Sequence, residues 1–507
     1  MARPVLNLLM ALLSAALLIV CYPRFNLVWF APIALTPLLL AVTRERGPWR
    51  RFLLGWAAGA VYWCGVCYWV QIVLAVHGDM GKGLAWAMFA LFCVAKAVHM
   101  GVFALLAGVL MRRWWAVPAV AAWWVTVEAT HGSLGFAWLA LGNAGVDMGI
   151  PMRLAPYTGV YGLSFVFAIM ATGLALAILR RSRLELLWLA PLLLLPLLPA
   201  MPAALPGKEA ALLVQSNISE TQEWNPEVLS QTVREQAALT LRGVLQPSAR
   251  PPSILVWPEV PAPFYYEEDA GFREYVDNLA RMTHAYLLLG TVAHTPKGAP
   301  LNSAQLISPT GSALTRYDKV NLVPFGEYVP WPFNYLADKV SSEVGDFAAG
   351  RRVVVSPVGN HRIGAFICYE SVFPGFVRKF VAGGAEALFN ISNDGWFGQS
   401  AARPQHLNIV RMRAAENRRW ILRSTNDGIT AVIDPAGRLR GAIPSNTRAA
   451  FYAGFTYIPA QTVYTRFGDW FAAVCLLIAT LCAVASALPG AGKRTETDGP
   501  RTAATLP

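Results

Sequence analysis

Hydrophobic positions fall into two patterns along the chain. Through the first 200 residues they form long runs, several close to the ~20 apolar residues that cross a bilayer as a helix. Seven candidate spans follow one another there: Leu6–Cys21, Leu27–Val42, Phe52–Val76, Leu84–Met111, Trp114–Ala129, Tyr157–Leu179 and a Pro-broken Leu184–Leu198. The first has a thin basic flank and no small-residue cleavage site after it, so it reads as a span, not a signal peptide. An eighth candidate, Phe471–Leu488, stands alone near the other end, within 468–488.

Between 208 and 455 the pattern changes. Short apolar runs alternate with amphipathic stretches. Strands are predicted at Ala211–Gln215, Ile254–Trp257, Tyr286–Val292, Ser303–Ser308, Val353–Ser356, Ile363–Ile367, Ala387–Ser392, Ile421–Ser424 and Thr430–Asp434. Helices are predicted at Val228–Leu245, Phe272–Thr283, Phe373–Ala382 and Arg403–Arg419. Such alternation implies a layered α/β domain. The polar tail at 490–507 is expected to be disordered and cytoplasmic.

Composition agrees with a membrane protein carrying one large extramembrane domain: 55% of residues are hydrophobic and 14% charged. The net charge of +12 has a topological cause. Arg44, Arg46, Arg50 and Arg51, then Arg112 and Arg113, then Arg180, Arg181 and Arg183, then Lys493 and Arg494 occupy alternate loops. The intervening loops hold Arg24, Lys82 and Arg153. Cytoplasmic loops collect Arg and Lys, so 208–455 is expected on the outer side, the periplasm of a diderm bacterium. No basic stripe interleaved with aromatics speaks for nucleic acid.

Within the spans, Cys64-Gly-Val-Cys67 has redox spacing but lies mid-helix, and packing is the better reading. Lys96 lies near the middle of a span, where a charge is costly. A partner group or a lipid phosphate would relieve it. Glu128 and His131 are expected to be solvated at a span end. A transporter would carry several paired ionisable groups in its spans, and Lys96 has no such company.

Of seven cysteines, Cys368 alone falls in the α/β domain. It is either buried filler or a working thiol. Ile363–Ile367 ends on it, and a helix is predicted shortly after, a setting that lowers a thiol's pKa. Val256-Trp-Pro-Glu259 ends another strand on a carboxylate able to act as general base. Tyr317-Asp-Lys319 offers a cation for an oxyanion. The seven histidines are scattered without ligand spacing, so no metal or other cofactor is expected.

Trp-Pro-Glu, Tyr-x-Lys and Cys-Tyr-Glu, in that order at strand ends, resemble the nitrilase (carbon–nitrogen hydrolase) superfamily. With membrane spans on both sides, the chain resembles bacterial apolipoprotein N-acyltransferases. The likeness extends to Val214-Gln-Ser-Asn217, Trp224-Asn-Pro226, the run from Lys319 through Glu327-Tyr-Val-Pro330, and Ser392-Asn-Asp-Gly-Trp396-Phe-Gly398. It implies an αββα sandwich beside a bundle of about eight spans. Glu259 would be the base, Lys319 the oxyanion partner and Cys368 the nucleophile, with Trp224, Glu327, Tyr369 and Glu370 in support. The implied donor is a phospholipid such as phosphatidylethanolamine. The implied acceptor is a diacylated apolipoprotein, and the enzyme would act as a monomer in the inner membrane. Asn302, Trp396 and Phe397 are candidates for contacting substrate. Two apolar loops, Pro261–Tyr266 and Tyr328–Val340 with Trp331, Phe333 and Tyr335, are expected to gate the site.

Overall fold

The computed structural model describes residues 3–78, 81–133, 135–203, 207–246, 250–328 and 347–488. The tail 490–507 and most of the predicted gating loop Tyr328–Val340 lie outside these.

The helical part comprises α1 (Arg3–Val20), α2 (Thr36–Arg44), α3 (Pro48–Val66), α4 (Val70–Val76), α5 (Lys82–Leu110), α6 (Ala116–Ala129), α7 (Ala155–Thr158) and α8 (Val160–Ile178). Among the described residues, α1, α5, α8 and the late helix Trp470–Ala487 are long and apolar enough to cross a membrane. The pair α3 and α4, bent by 58°, makes a fifth. The expected count of about eight is therefore not met by length and composition. The second predicted span divides into a 3-10 turn, Val28–Phe30, and the nine-residue α2. The fifth is the 14-residue α6, about 21 Å long. The seventh is a 15-residue 3-10 helix, Arg183–Leu197, containing Pro191 and Pro196.

Small residues join α3 to α5. A Cβ at Gly55 would sit 2.3 Å from the Ala104 Cβ, and one at Gly59 would sit 2.9 Å from the Ala97 Cα. Backbones approach this closely only where side chains are absent. Cys67 is buried and unpaired, consistent with packing. Glu128 departs from the solvated reading. It is buried at the end of α6, and its Oε1 accepts from the Leu141 N–H at 2.6 Å.

The α/β part contains two six-stranded sheets. One runs β12-β1-β2-β3-β4-β5, with β1 Glu209–Gln215, β2 Ile254–Val256, β3 Tyr286–His294, β4 Pro300–Ile307, β5 Ala313–Asp318 and β12 Ala449–Phe455. The other runs β11-β10-β9-β8-β7-β6, with β6 Val355–Val358, β7 His361–Ile367, β8 Ala387–Ser392, β9 Ile421–Thr425, β10 Thr430–Ile433 and β11 Leu439–Ile443. The period-2 alternation explains the layering. Ala211 and Leu213 face the second sheet, in a core with Ile363, Phe366 and Leu388. Leu212 and Val214 face outward, against α9 (Pro226–Val244) and α10 (Ala270–Thr283). On the far side, α11 (Pro374–Ala382) and α12 (Ala402–Asn417) cover the second sheet. The result is an αββα sandwich.

After β12, the short α13 (Val463–Phe467) leads into α14 (Trp470–Ala487), which returns against α6. Two buried ties lock the halves together. Glu416 on α12 accepts from the Val160 N–H at 2.8 Å, a carboxylate at a helix N-terminus. Gln405 takes a hydrogen bond from the Trp138 indole at 2.8 Å and donates to the Pro23 carbonyl at 2.6 Å.

Candidate active site

β7 ends at Ile367, and Cys368 takes a left-handed backbone conformation with φ of 49°. A 3-10 turn, Cys368–Val372, follows. This bend turns the thiol out of the sheet top toward the ends of β2 and β5. Non-glycine residues avoid that conformation unless the surroundings enforce it. Glu370 supplies the enforcement. Its Oε2 accepts from the Ile367 N–H at 2.8 Å, and its Oε1 from the Tyr317 hydroxyl at 2.6 Å and the N–H groups of Val320 and Asn321. One buried carboxylate thus ties the Cys368 turn to the segment after Lys319. Burial pushes that carboxyl up to about 7, against the pull of these donors.

Lys319 leaves β5 fully buried, with Nζ 2.8 Å from Glu327 Oε1 and 3.5 Å from Glu259 Oε1. Burial opposes its charge, but Glu259, Glu327 and Cys368 outweigh burial and raise its pKa. The ammonium is a fixed cation. Glu259 lies three residues beyond β2. A Cβ at Gly290 would meet the Glu259 Cα at 2.9 Å, so this glycine admits the carboxylate's backbone. Asn302 donates to Glu259 Oε1 at 2.6 Å and to Glu327 Oε1 at 2.7 Å. The Asn393 N–H donates to Glu259 Oε2 at 2.8 Å, while its carbonyl lies 4.0 Å from Cys368 Sγ.

The expected lowering of the thiol's pKa is not found. Burial and the Glu259 charge push the Cys368 thiol up, with Lys319 opposing them. Both causes favour the neutral thiol.

All three residues open onto one cavity of about 730 Å³, which Asn302, Glu327, Trp224, Tyr369, Trp396 and Phe397 also line. The structure therefore gathers every site candidate except Glu370, which sits behind the wall. Of the first predicted gating loop, Pro261, Ala262, Pro263 and Tyr265 line the cavity. Its other walls come from α4 and α5. The bend before α4 carries Trp69 to 4.9 Å from Phe397 and His77 to 4.4 Å from Trp396, ring to ring. Tyr369 reaches the other way: its hydroxyl donates to the Ala137 carbonyl at 3.1 Å and its ring stacks on Phe136.

Two groups escaped the sequence reading. Beneath the Cys368 turn, His406 Nε2 lies 3.1 Å from the Cys368 carbonyl and 2.8 Å from Ser371 Oγ. Its Nδ1 meets Asp394 at 3.0 Å, and Arg423 braces Asp394 at 2.7 Å. Against burial, Arg423 and His406 hold the Asp394 carboxyl well below the carboxylate range. Asp394 follows a strand, as Glu259 and Lys319 do, which was the available signal. The second is Glu220 in the cavity wall. It touches the Asn393 amide at 3.2 Å, and its other oxygen has no hydrogen-bond partner among the described residues. Burial pushes it up to about 8, with the charges of Asp427 and Glu259 adding to the rise.

Known proteins match both halves. Residues 213–455 match the family model described as carbon-nitrogen hydrolase, and residues 14–173 match the apolipoprotein N-acyltransferase N-terminal domain. Among solved structures, a Saccharomyces cerevisiae member of branch 10 of the nitrilase superfamily aligns at 18% identity and a TM-score of 0.39, over 49% of this chain and 89% of that one. An apolipoprotein N-acyltransferase of Azotobacter vinelandii is 33% identical, over 91% of this chain and 92% of that protein. One of Pseudomonas putida is 31% identical, over 93% and 95%. One of Geobacter metallireducens is 33% identical over 95% of each chain. With relatives this similar along almost its whole length, the chain belongs to the apolipoprotein N-acyltransferase family.

Proposed function

We propose that Cys368 carries a fatty acyl group from a phospholipid, typically phosphatidylethanolamine, to the N-terminal amine of a diacylglyceryl-cysteine. The observation that carries this reading is one cavity that holds Cys368, Glu259 and Lys319 at one end and continues between apolar α4 and α5 side chains. Glu259 takes the thiol proton as Sγ attacks the sn-1 ester carbonyl. The Lys319 ammonium, fixed by Glu327, stabilises the oxyanion. The ester C–O bond breaks, and Glu259 returns the proton to the departing lysophospholipid hydroxyl. The acceptor's neutral α-amine then attacks the thioester. Its surplus proton passes through Glu259, the amide forms, and the thiol is restored. Apolar walls from Phe136, Trp396 and Phe397 keep water from the thioester. Asn302 holds the two carboxylates on either side of the lysine.

The alternating arginines support a cytoplasmic N-terminus and a periplasmic α/β domain, with eight crossings in the inner membrane. The 3-10 segment Arg183–Leu197 supports the seventh crossing, because 15 residues at about 2 Å each reach about 30 Å.

The test is transfer of a labelled sn-1 chain to a diacylated lipopeptide. Expected are a trapped thioester with lipid alone and its discharge by the lipopeptide. Cys368→Ser is expected to abolish both. A thioester that survives this substitution would exclude the nucleophile. Release of the chain to water alone would favour a hydrolase.

A further inference from the structure

The cavity that holds Cys368 also reaches Lys96 and His99. Lys96 is 95% buried by its 5% exposure, and its Nζ has no hydrogen-bond partner among the described residues. Both ring nitrogens of His99 are likewise buried and unpartnered. The face of Trp63 covers the ammonium, with Nζ 5.1 Å from the ring centroid. Such a contact attracts a cation but leaves its three donors unsatisfied. A buried charge without a partner is destabilising, so the position implies an anion that the protein itself does not supply.

Place in the fold limits what the anion can be. Trp63 is near the end of α3, and His131 follows α6; their rings lie 5.4 Å apart, and His131 lies 4.7 Å from His99. The cluster therefore sits where the ends of α3 and α6 meet the middle of α5. From it, ring contacts run Trp63 to Phe92, Phe92 to Phe136 and Phe136 to Tyr369, the residue after the nucleophile. The cavity between is lined by Val70, Val73, Leu91 and Phe92. A ligand spanning these surroundings must be an amphiphile with an anionic group. In a bilayer that anion is a phosphodiester.

We infer that Lys96 and His99 form a docking site for the phosphate of a membrane phospholipid, at the membrane end of the acyl-transfer cavity. The inference rests on the phospholipid-donor reading above, and it adds a binding site at a distance from the triad. The lipid is held by its phosphate while its acyl chains lie along α4 and α5, and its ester is then passed up the aromatic wall to Cys368.

The test is direct binding to the full-length enzyme in detergent micelles, read by native mass spectrometry. The probes are a diether phosphatidylethanolamine, which cannot be cleaved, and a diether glycerol without phosphate. Wild type is expected to prefer the phosphate-bearing lipid. Lys96→Met is expected to lose that preference at least tenfold, with the neutral lipid little changed, and Lys96→Arg to restore it. Millimolar inorganic phosphate should not displace the lipid; if it does, the site takes free phosphate and the lipid assignment is overturned. Equal preference in wild type and Lys96→Met overturns the site. Because the probes are not cleaved, a wild type that binds them yet forms no thioester from ester lipid sinks the donor reading and leaves the site standing.

Discussion

Asn302, a candidate for touching substrate, spends its amide on Glu259 and Glu327. Removing it leaves two carboxylate oxygens facing each other across Lys319. Asn302→Leu is expected to slow thioester formation roughly 5- to 150-fold, the equivalent of about 1–3 kcal/mol for a lost buried hydrogen-bond donor. Single-turnover acylation measures it, and an unchanged rate would mean that the amide does not position the triad. Glu220 gives a pH signature. Its folded pKa, about 8, lies above the ordinary 4.5, so the neutral form's contribution to stability is present below 4.5 and lost as pH rises through about 8. Its ionisation also adds a negative charge to the cavity where a thiolate must form. Thioester formation is expected to decline with an apparent midpoint near 8, and Glu220→Gln to remove that decline from the pH profile. Arg423 is structural. Arg423→Met strands the fully buried Asp394, at a loss of about 3–5 kcal/mol, read as a lowered unfolding midpoint.

Among elements, the strands that bear the site were the most legible. β8 begins and ends where its apolar run does, and β1, β2, β7 and β9 differ by one or two residues. These strands are covered on both faces, so their sequences are almost continuously apolar. Of the four edge strands, only β6 was legible, as Val353–Ser356. β5 and β11 are half exposed and carry Arg316, Arg438-flanking turns and Arg440, while β12 is rich in Ala and Gly, which have little strand propensity. Of the proposed triad, Glu259 and Cys368 could be read because they follow apolar strands, whereas Lys319 follows the half-exposed β5 and was read from the Tyr-x-Lys likeness. The partners of those residues could not: Asn302 lies inside β4, His406 on a helix buried almost throughout, and their roles exist only once the two sheets meet. The break between α3 and α4 was also invisible, since its residues are as apolar as the helices they join. Close helix packing yields a prediction at this scale. Gly55→Leu is expected to force α3 from α5 and lower folded yield and thermal stability, whereas Ala57→Leu, on the same helix, is expected to be tolerated better. Equal effects would mean that the Gly55 contact does not set the helix spacing.

At the scale of the whole molecule, catalytic and membrane parts share one wall. The cavity draws residues from both, and α14 returns the chain to pack on α6. Tyr369→Phe removes the hydroxyl that joins the Cys368 turn to Ala137. A loss of about 0.5–1.5 kcal/mol in stability is expected, with a larger fall in acyl transfer than in unfolding midpoint. Together with the Glu416 and Gln405 ties, the contact is expected to make the enzyme indivisible. A nitrilase-type domain cut free of its helices would lose the partner that aims the residue beside its thiol, and would bare Phe397 and Tyr369 to water. Exchange of either half between distant relatives should therefore fail unless the Ala137 and Tyr369 surfaces travel together. The two halves form one inheritable unit, and their shared boundary is where compensating changes between them are expected to accumulate.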